Sequence, residues 1–348
     1  MIWNCGKKQN DASRMMARTV ADTIECLANT PIPEKLWHYT DFNGFQGIVR
    51  SQHIYATHIG YLNDRKELYH ALDVVKEMLD DFIKSYPSDA ELGQLIPGIL
   101  SGLFVDNGVL SQNSLNVFTT SFTLLEDRLS QWRGYSKGSS GVSLGFDLRA
   151  FRPPEDTGTL ATFAPCVYDD VAKRDLIRQT ISVFADRATV LSSEEFITSI
   201  IDEIMQSHPG LTYDEATNER CSILHERLYR ELEDAKIAMA CRLLRLMPLL
   251  KHSAFEEEQE WRGVYPFFTD IPSTQNQIKY RSRNNTLVPY IELRLTGKIG
   301  ESEILPLTDV IIGPGSEFGT IDAVRGFLES EGIKNVIPRQ SPIPYRPS

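Results

Sequence analysis

Apolar positions along this chain fall into two rhythms, one helical and one alternating. Met15, Met16, Val20, Ile24 and Leu27 recur at helical spacing over 11–29, a run that ends before Pro31 and Pro33. Leu36-Trp37-His38-Tyr39-Thr40 then reads as a short strand. Asp41 is a good N-cap for a helix carrying Phe42, Phe45, Ile48 and Val49, and Ile54 to Thr57 reads as a second strand. Asn63-Asp64 opens a long amphipathic helix through Leu68, Leu72, Val75 and Leu79, which stops near Pro87, and more helix is expected over 90–105. The pattern then turns β-rich at Leu115–Phe122 and Ser139–Phe146, on either side of a polar, aromatic turn region at Glu126–Lys137. Thr159–Tyr168 follows as another strand. From Asp170 to about Lys251 the chain reads as helical, broken around His208-Pro209-Gly210 and striped by Leu224, Leu228, Leu232, Ala235 and Met239. Strand character returns at Glu258–Phe267, Val288–Leu295 and Val310–Ile312. A helix near 320–331 and an extended piece at Asn335–Arg346 come last.

Scattered strands with helices gathered into blocks predict an α+β fold rather than the regular βαβ alternation of a parallel sheet. The expected organisation is an N-terminal helical extension over 1–30 and a single α+β domain over 31–348, carrying a helical insertion at about 170–251. The 348 residues are 41% hydrophobic and 24% charged, ordinary for a globular chain. A net charge of −11 disfavours loose attachment to DNA or anionic membranes, since both rest on phosphate neutralisation, although a local basic groove stays open. Cys5, Cys26, Cys166, Cys221 and Cys241 form no CxxC pair or zinc-like spacing, so free and mostly buried thiols are expected. No secretory signal is evident, and no stretch approaches the ~20 apolar residues of a membrane span, which predicts a cytoplasmic protein without a membrane partner.

Several polar residues stand where chemistry is plausible beside a plainer role. His38, between Trp37 and Tyr39 on a strand, is either a satisfied core histidine or a site residue. Tyr55 is a core aromatic or a ring-stacking face. Asn63 and Asp64 suit helix capping. Trp132 and Arg133, expected in a loop, suit stacking on a base and forked binding of a phosphate or carboxylate. Gly138, Gly141 and Gly145 fit either phosphate approach or tight turns. Residues two apart on a strand share a face, so Glu258, Glu260 and Arg262 are expected to point together, as a salt bridge or as cleft carboxylates. The remaining histidines have no metal-like spacing, and neither GxSxG nor a P-loop occurs.

These segments, taken in order, resemble the bacterial domain-of-unknown-function 2971 family. The resemblance rests on Leu36–Thr40, Ile54–Thr57, Leu62-Asn63-Asp64 with Glu67, Ser121-Phe122, Gln131-Trp132-Arg133-x-Tyr135, Gly141–Phe146, Glu258-x-Glu260-Trp261-Arg262 and Ile312-Gly313-Pro314. The opening is also similar to ADP-ribosyltransferase folds, whose sheet core is split and mixed. That resemblance implies His38 and Thr40 on the first strand, Tyr55 on the second and Glu260 on a later one as an NAD site, with Glu258 activating an acceptor. His38 would then position the adenosine ribose and Tyr55 would pack on nicotinamide. Glu260 would hold the nicotinamide ribose as an oxocarbenium-like cation forms, a charge that a fixed carboxylate stabilises.

Three readings follow. The first is an NAD-consuming ADP-ribosyltransferase-like enzyme or NAD glycohydrolase, a toxin or phage-defence effector by analogy, with NAD as substrate and no metal. His38, Thr40, Tyr55, Asn63, Trp132, Arg133, Tyr135 and Arg262 would bind the nucleotide, with Arg133 or Arg262 on its pyrophosphate. Its acceptor, a protein or a nucleic acid, and any partner chain in a defence system are open. The second is a nucleotide- or nucleic-acid-sensing module without turnover. The third is a nuclease or phosphohydrolase using Asp64, Glu67 and Glu260 around Mg²⁺.

Overall fold

The computed structural model describes residues 24–62, 65–85, 91–105, 108–111, 116–136, 140–149, 151, 161–207, 213–267, 277–283, 285–295, 297–299 and 302–344. The strands are β1 (Leu36–Thr40), β2 (His53–His58), β3 (Val117–Thr123), β4 (Val142–Phe146), β5 (Thr162–Pro165) and β6 (Glu260–Pro266), followed by β7 (Lys279–Arg283), β8 (Thr286–Arg294), β9 (Gly297–Ile299), β10 (Ser302–Ile304), β11 (Leu307–Ile312) and β12 (Pro338–Gln340). The fold is mixed α+β, as the patterning predicts, with a mostly antiparallel open sheet. Where one domain with an insertion was expected, the chain forms two compact units: a helical one drawing on 66–115 and 170–247, and a sheet-bearing one from 27–65, 116–169 and 248–348.

In the helical unit, the stripe Leu68, Leu72, Val75 and Leu79 is buried on helix Arg65–Ser85. The predicted helical block is three helices, Asp170–Leu191, Glu194–Ser207 and Tyr213–Leu246. Leu228, Leu232 and Met239 of the last are buried, as their spacing requires. The break at 208–210, the residues before 24 and the side chain of Leu224 fall outside the described residues. No helix among the described residues is long and apolar enough to cross a membrane.

In the other unit, ten strands form one sheet in the order β12-β11-β4-β1-β3-β2-β8-β7, with β6 pairing β3 and β5. Among the described strands only β11 and β12 pair in parallel. Asp41 caps helix Phe42–Ser51 by accepting from the Gly44 N–H at 2.8 Å, and that helix buries Phe45, Ile48 and Val49 in the main core. Helix Thr320–Ser330 adds Val324 and Leu328 to the same core.

The sheet is split at β3. Along one edge β3 pairs β6 throughout, from Val117↔Pro266 to Thr123↔Glu260. Its other edge is shared. β1 meets it only at Trp37↔Thr123, and β2 only at Thr57↔Thr119 and His58↔Phe118. Between those contacts β1 leaves for β4, which it pairs from Leu36↔Phe146 to Thr40↔Val142, while β2 leaves for β8. The divergence opens a gap in the sheet, and the polar residues of interest collect there.

Candidate functional site

A backbone carbonyl stranded in that gap needs a donor. The Ser121 oxygen receives one from the His38 Nδ1–H at 2.9 Å. A carbonyl only accepts, so the proton sits on Nδ1 and Nε2 is left as the acceptor of the ring. Burial lowers the His38 pKa, opposed by the Ser121 hydrogen bond and assisted by the Arg281 charge, so the imidazole is neutral at pH 7.

His38 lines a small pocket of about 60 Å³ together with Trp37, Gln131, Tyr135, Glu258 and Glu260. β1 and β6 both meet β3 at Thr123, and this shared partner brings His38 and Glu260 together. A space of that size holds a few waters rather than a nicotinamide ring.

The carboxylates are already committed. Arg262 donates to Glu260 through Nε at 2.8 Å and Nη2 at 3.0 Å, and through Nη1 to the Pro248 carbonyl at 2.7 Å. Lys251 Nζ donates to Glu260 Oε2 at 2.6 Å and also to Glu258. The Tyr168 hydroxyl accepts from the Glu260 backbone N–H at 2.9 Å. The side chains of Lys251, Glu260 and Arg262 are 2%, 5% and 5% exposed and that of Glu258 is 15%, so two cations and two carboxylates form a neutral cluster that is buried except at Glu258. Burial pushes the Glu260 pKa up, but Arg262 and Lys251 outweigh it and hold the carboxyl at about 2. Contrary to expectation, Glu258 does not lie on the strand with Glu260. It ends a 3₁₀ turn, Ser253–Glu258, and Gln259 in left-handed conformation (φ 43°) separates the two. Lys251, not strand alternation, brings the two carboxylates together.

Other expectations change as well. The region Gln131–Tyr135 is helix Leu129–Tyr135, not a loop. Trp132 is wholly buried, edge-on to Tyr39 at 4.7 Å and donating to Asp127 Oδ1 at 2.6 Å, so it closes the second core with Trp37 and Ile311 and cannot stack on a base. Arg262 is spent on Glu260 and Pro248, and Arg133 is exposed and lines neither this pocket nor the cleft described next, so neither is placed for a pyrophosphate. Gly141 and Gly145 serve packing: a Cβ would lie 2.5 Å from the Thr40 carbonyl oxygen at Gly141 and 3.0 Å from the Trp37 ring at Gly145. Gly138, Asn63 and Asp64, and the side chain of Glu67, lie outside the described residues. Two cations already hold the Glu260 oxygens.

Tyr55 is not at the small pocket. It borders a wider cleft of about 610 Å³ with Tyr39, Thr40, Gly44, Tyr135, Arg281 and Arg283. Tyr39 and Tyr135 line both spaces, and the Tyr135 hydroxyl reaches Glu258 at 3.4 Å. Tyr55 is 37% exposed and lies 4.2 Å from the Tyr290 ring, with the Arg281 guanidinium 5.2 Å from its centroid. Sequence reading missed Lys251, Arg281 and Arg283, and gave Gln131 no role beyond its place in the family motif. The signals were present, a lysine closing the apolar run Leu246–Leu250 and basic residues alternating at 279, 281 and 283.

The family model for a protein family of unknown function, DUF2971, matches residues 131–263. The resemblance to that family is borne out there. The matched segment runs from Gln131 through the Gly141–Phe146 strand to Arg262 of the buried cluster, while His38, Tyr55 and the Ile312-Gly313-Pro314 turn lie outside it. No curated protein and no solved structure matches the chain.

Proposed function

We propose that the sheet-bearing unit binds an NAD-type dinucleotide and cleaves its nicotinamide–ribose bond, in the manner of ADP-ribosyltransferase-like enzymes. The observation that carries this reading is the meeting of His38 and Glu260 across β3, far apart in sequence yet around one pocket. A split sheet with His38 on β1, Tyr55 on β2 and Glu260 on β6 supports the ADP-ribosyltransferase-like version of the fold. His38 Nε2 accepts from a ribose hydroxyl. Glu260, ionised at every working pH, lies beside the cation that develops on the ribose, and Glu258 is the carboxylate nearer the opening. The exposed Tyr135 forms the wall that must move to admit a nicotinamide ring.

One observation favours a second reading, a nucleotide-binding module without turnover. Arg262 and Lys251 cancel much of the field that Glu260 would exert on a ribosyl cation. Free nicotinamide, followed after incubation with NAD, separates the two. Glycosidic cleavage predicts release that His38→Ala lowers by about 10²-fold, the usual cost of losing one positioned polar group. Saturable NAD binding with no nicotinamide, even with protein and nucleic-acid acceptors added, selects the binding module. Neither binding nor release would reject both.

A further inference from the structure

The wider cleft contains a cation that the described residues satisfy only in part. Arg281 stands on the terminal strand β7, its guanidinium 5.2 Å and 5.6 Å from the rings of Tyr55 and Tyr290. It spends Nη2 on Thr57 Oγ1 at 2.9 Å, while Nε is buried with no partner. Burial lowers its pKa, and so does the neighbouring charge of Arg283. Arg283, two residues along the same face of β7, gives Nη2 to the Tyr61 carbonyl at 3.0 Å. Among the described residues neither arginine forms an ion pair, unlike Lys279 on the same face, which holds Glu292 at 2.6 Å. Asp41, the carboxylate lining this cleft, accepts from the Gly44 N–H as a helix cap.

A buried, unpaired guanidinium donor costs on the order of 1–3 kcal/mol, and a protein gains by meeting it with a ligand acceptor. Two like charges on one strand face repel until an anion separates them. The cleft, at about 610 Å³, is within the size range of nucleotide sites.

We propose that Arg281 and Arg283 form a diphosphate-binding subsite, taking the phosphoryl oxygens of a nucleoside diphosphate while Tyr55 borders the attached ring. Arginine suits this task because its forked donors match phosphate oxygens. The subsite deepens the NAD-type reading by naming where the dinucleotide's diphosphate lies, and it rests on that reading only for the ligand's nicotinamide half.

The test is calorimetric titration of the full chain with ADP and with inorganic pyrophosphate. Saturable binding is expected for both, weakened about tenfold or more by Arg281→Gln, which is about 1.4 kcal/mol, and several-fold by Arg283→Gln, with Arg133→Gln unchanged. Absence of binding to the wild-type chain, or equal affinities across wild type, Arg281→Gln and Arg283→Gln, would overturn the subsite. Arg283 is exposed, so its variant keeps the test decisive if Arg281→Gln fails to fold. ADP binding that depends on these arginines without any nicotinamide release sinks the glycosidic reading and leaves the subsite standing. Nicotinamide release indifferent to both arginines does the reverse.

Discussion

Arg262 and Arg281 stand on strands of the same sheet, and their surroundings are opposite. Arg262 on β6 has its donors answered by Glu260 and Pro248, beside a lysine bridging two carboxylates. Arg281 on β7 has a hydroxyl, two aromatic faces and an orphaned Nε. A charge buried with its partners is part of the framework, and its removal leaves the others uncompensated. A charge only partly answered at a cleft wall costs stability and has something to offer a ligand. The first arrangement ties β6 to the segment around Lys251 and so fixes the floor of the small pocket. The second leaves the wider cleft chemically unfinished.

The largest expected effect lies in the closed cluster. Lys251→Met removes the cation shared by Glu258 and Glu260, leaving Glu260 to Arg262 alone, and urea unfolding is expected to show a loss of about 3–5 kcal/mol. A loss below about 1 kcal/mol would mean that the cluster is not the framework described.

Acid should dissolve the same cluster in a defined window. The folded pKa of Glu260, about 2, lies below its ordinary 4.5, so its stabilisation is fully present above pH 4.5 and fades as pH falls towards 2. Stability measured between pH 6 and pH 2 should therefore drop by on the order of 3 kcal/mol more in wild type than in Glu260→Gln. Parallel pH profiles would contradict the assignment.

On the other side of the comparison, Arg281→Gln removes a burial cost and few contacts. Its unfolding free energy is expected within about 1 kcal/mol of wild type, on the stabilising side if it moves. A loss comparable to that of Lys251→Met would erase the contrast between the two regions. Smallest of all, Arg133→Gln should leave stability within about 0.5 kcal/mol, since its side chain is exposed and touches neither cavity.

Local patterning made much of the fold legible. Asp41 and the apolar spacing after it located the start of a helix, and Leu68–Leu79 marked the buried stripe of another. His38 and Glu260 were readable as candidates because each sits in a short polar and aromatic motif. What they touch was not readable, because β3 decides it, and strand order is a long-range property. Trp132 shows the cost: polar neighbours such as Gln131 and Arg133 suggested a loop, while burial against Tyr39 and Ile311 makes it a helix. β7 was overlooked although its basic residues alternate, since an edge strand with exposed Tyr280 lacks the apolar alternation that marks strands facing a core.

The most direct test of the contrast is the shift in unfolding free energy that NAD produces in wild type and in Arg281→Gln, measured at one ligand concentration. At 100 times Kd a ligand bound only by the folded state adds about 2.7 kcal/mol. That shift is expected in the wild-type protein and cut to about 1.4 kcal/mol or less in Arg281→Gln, since a tenfold weaker site is then only about 10 times above its Kd, while the variant's own stability barely changes. Equal shifts in the two proteins, or none in either, would contradict the claim that the unfinished charge on β7 is there to meet a nucleotide.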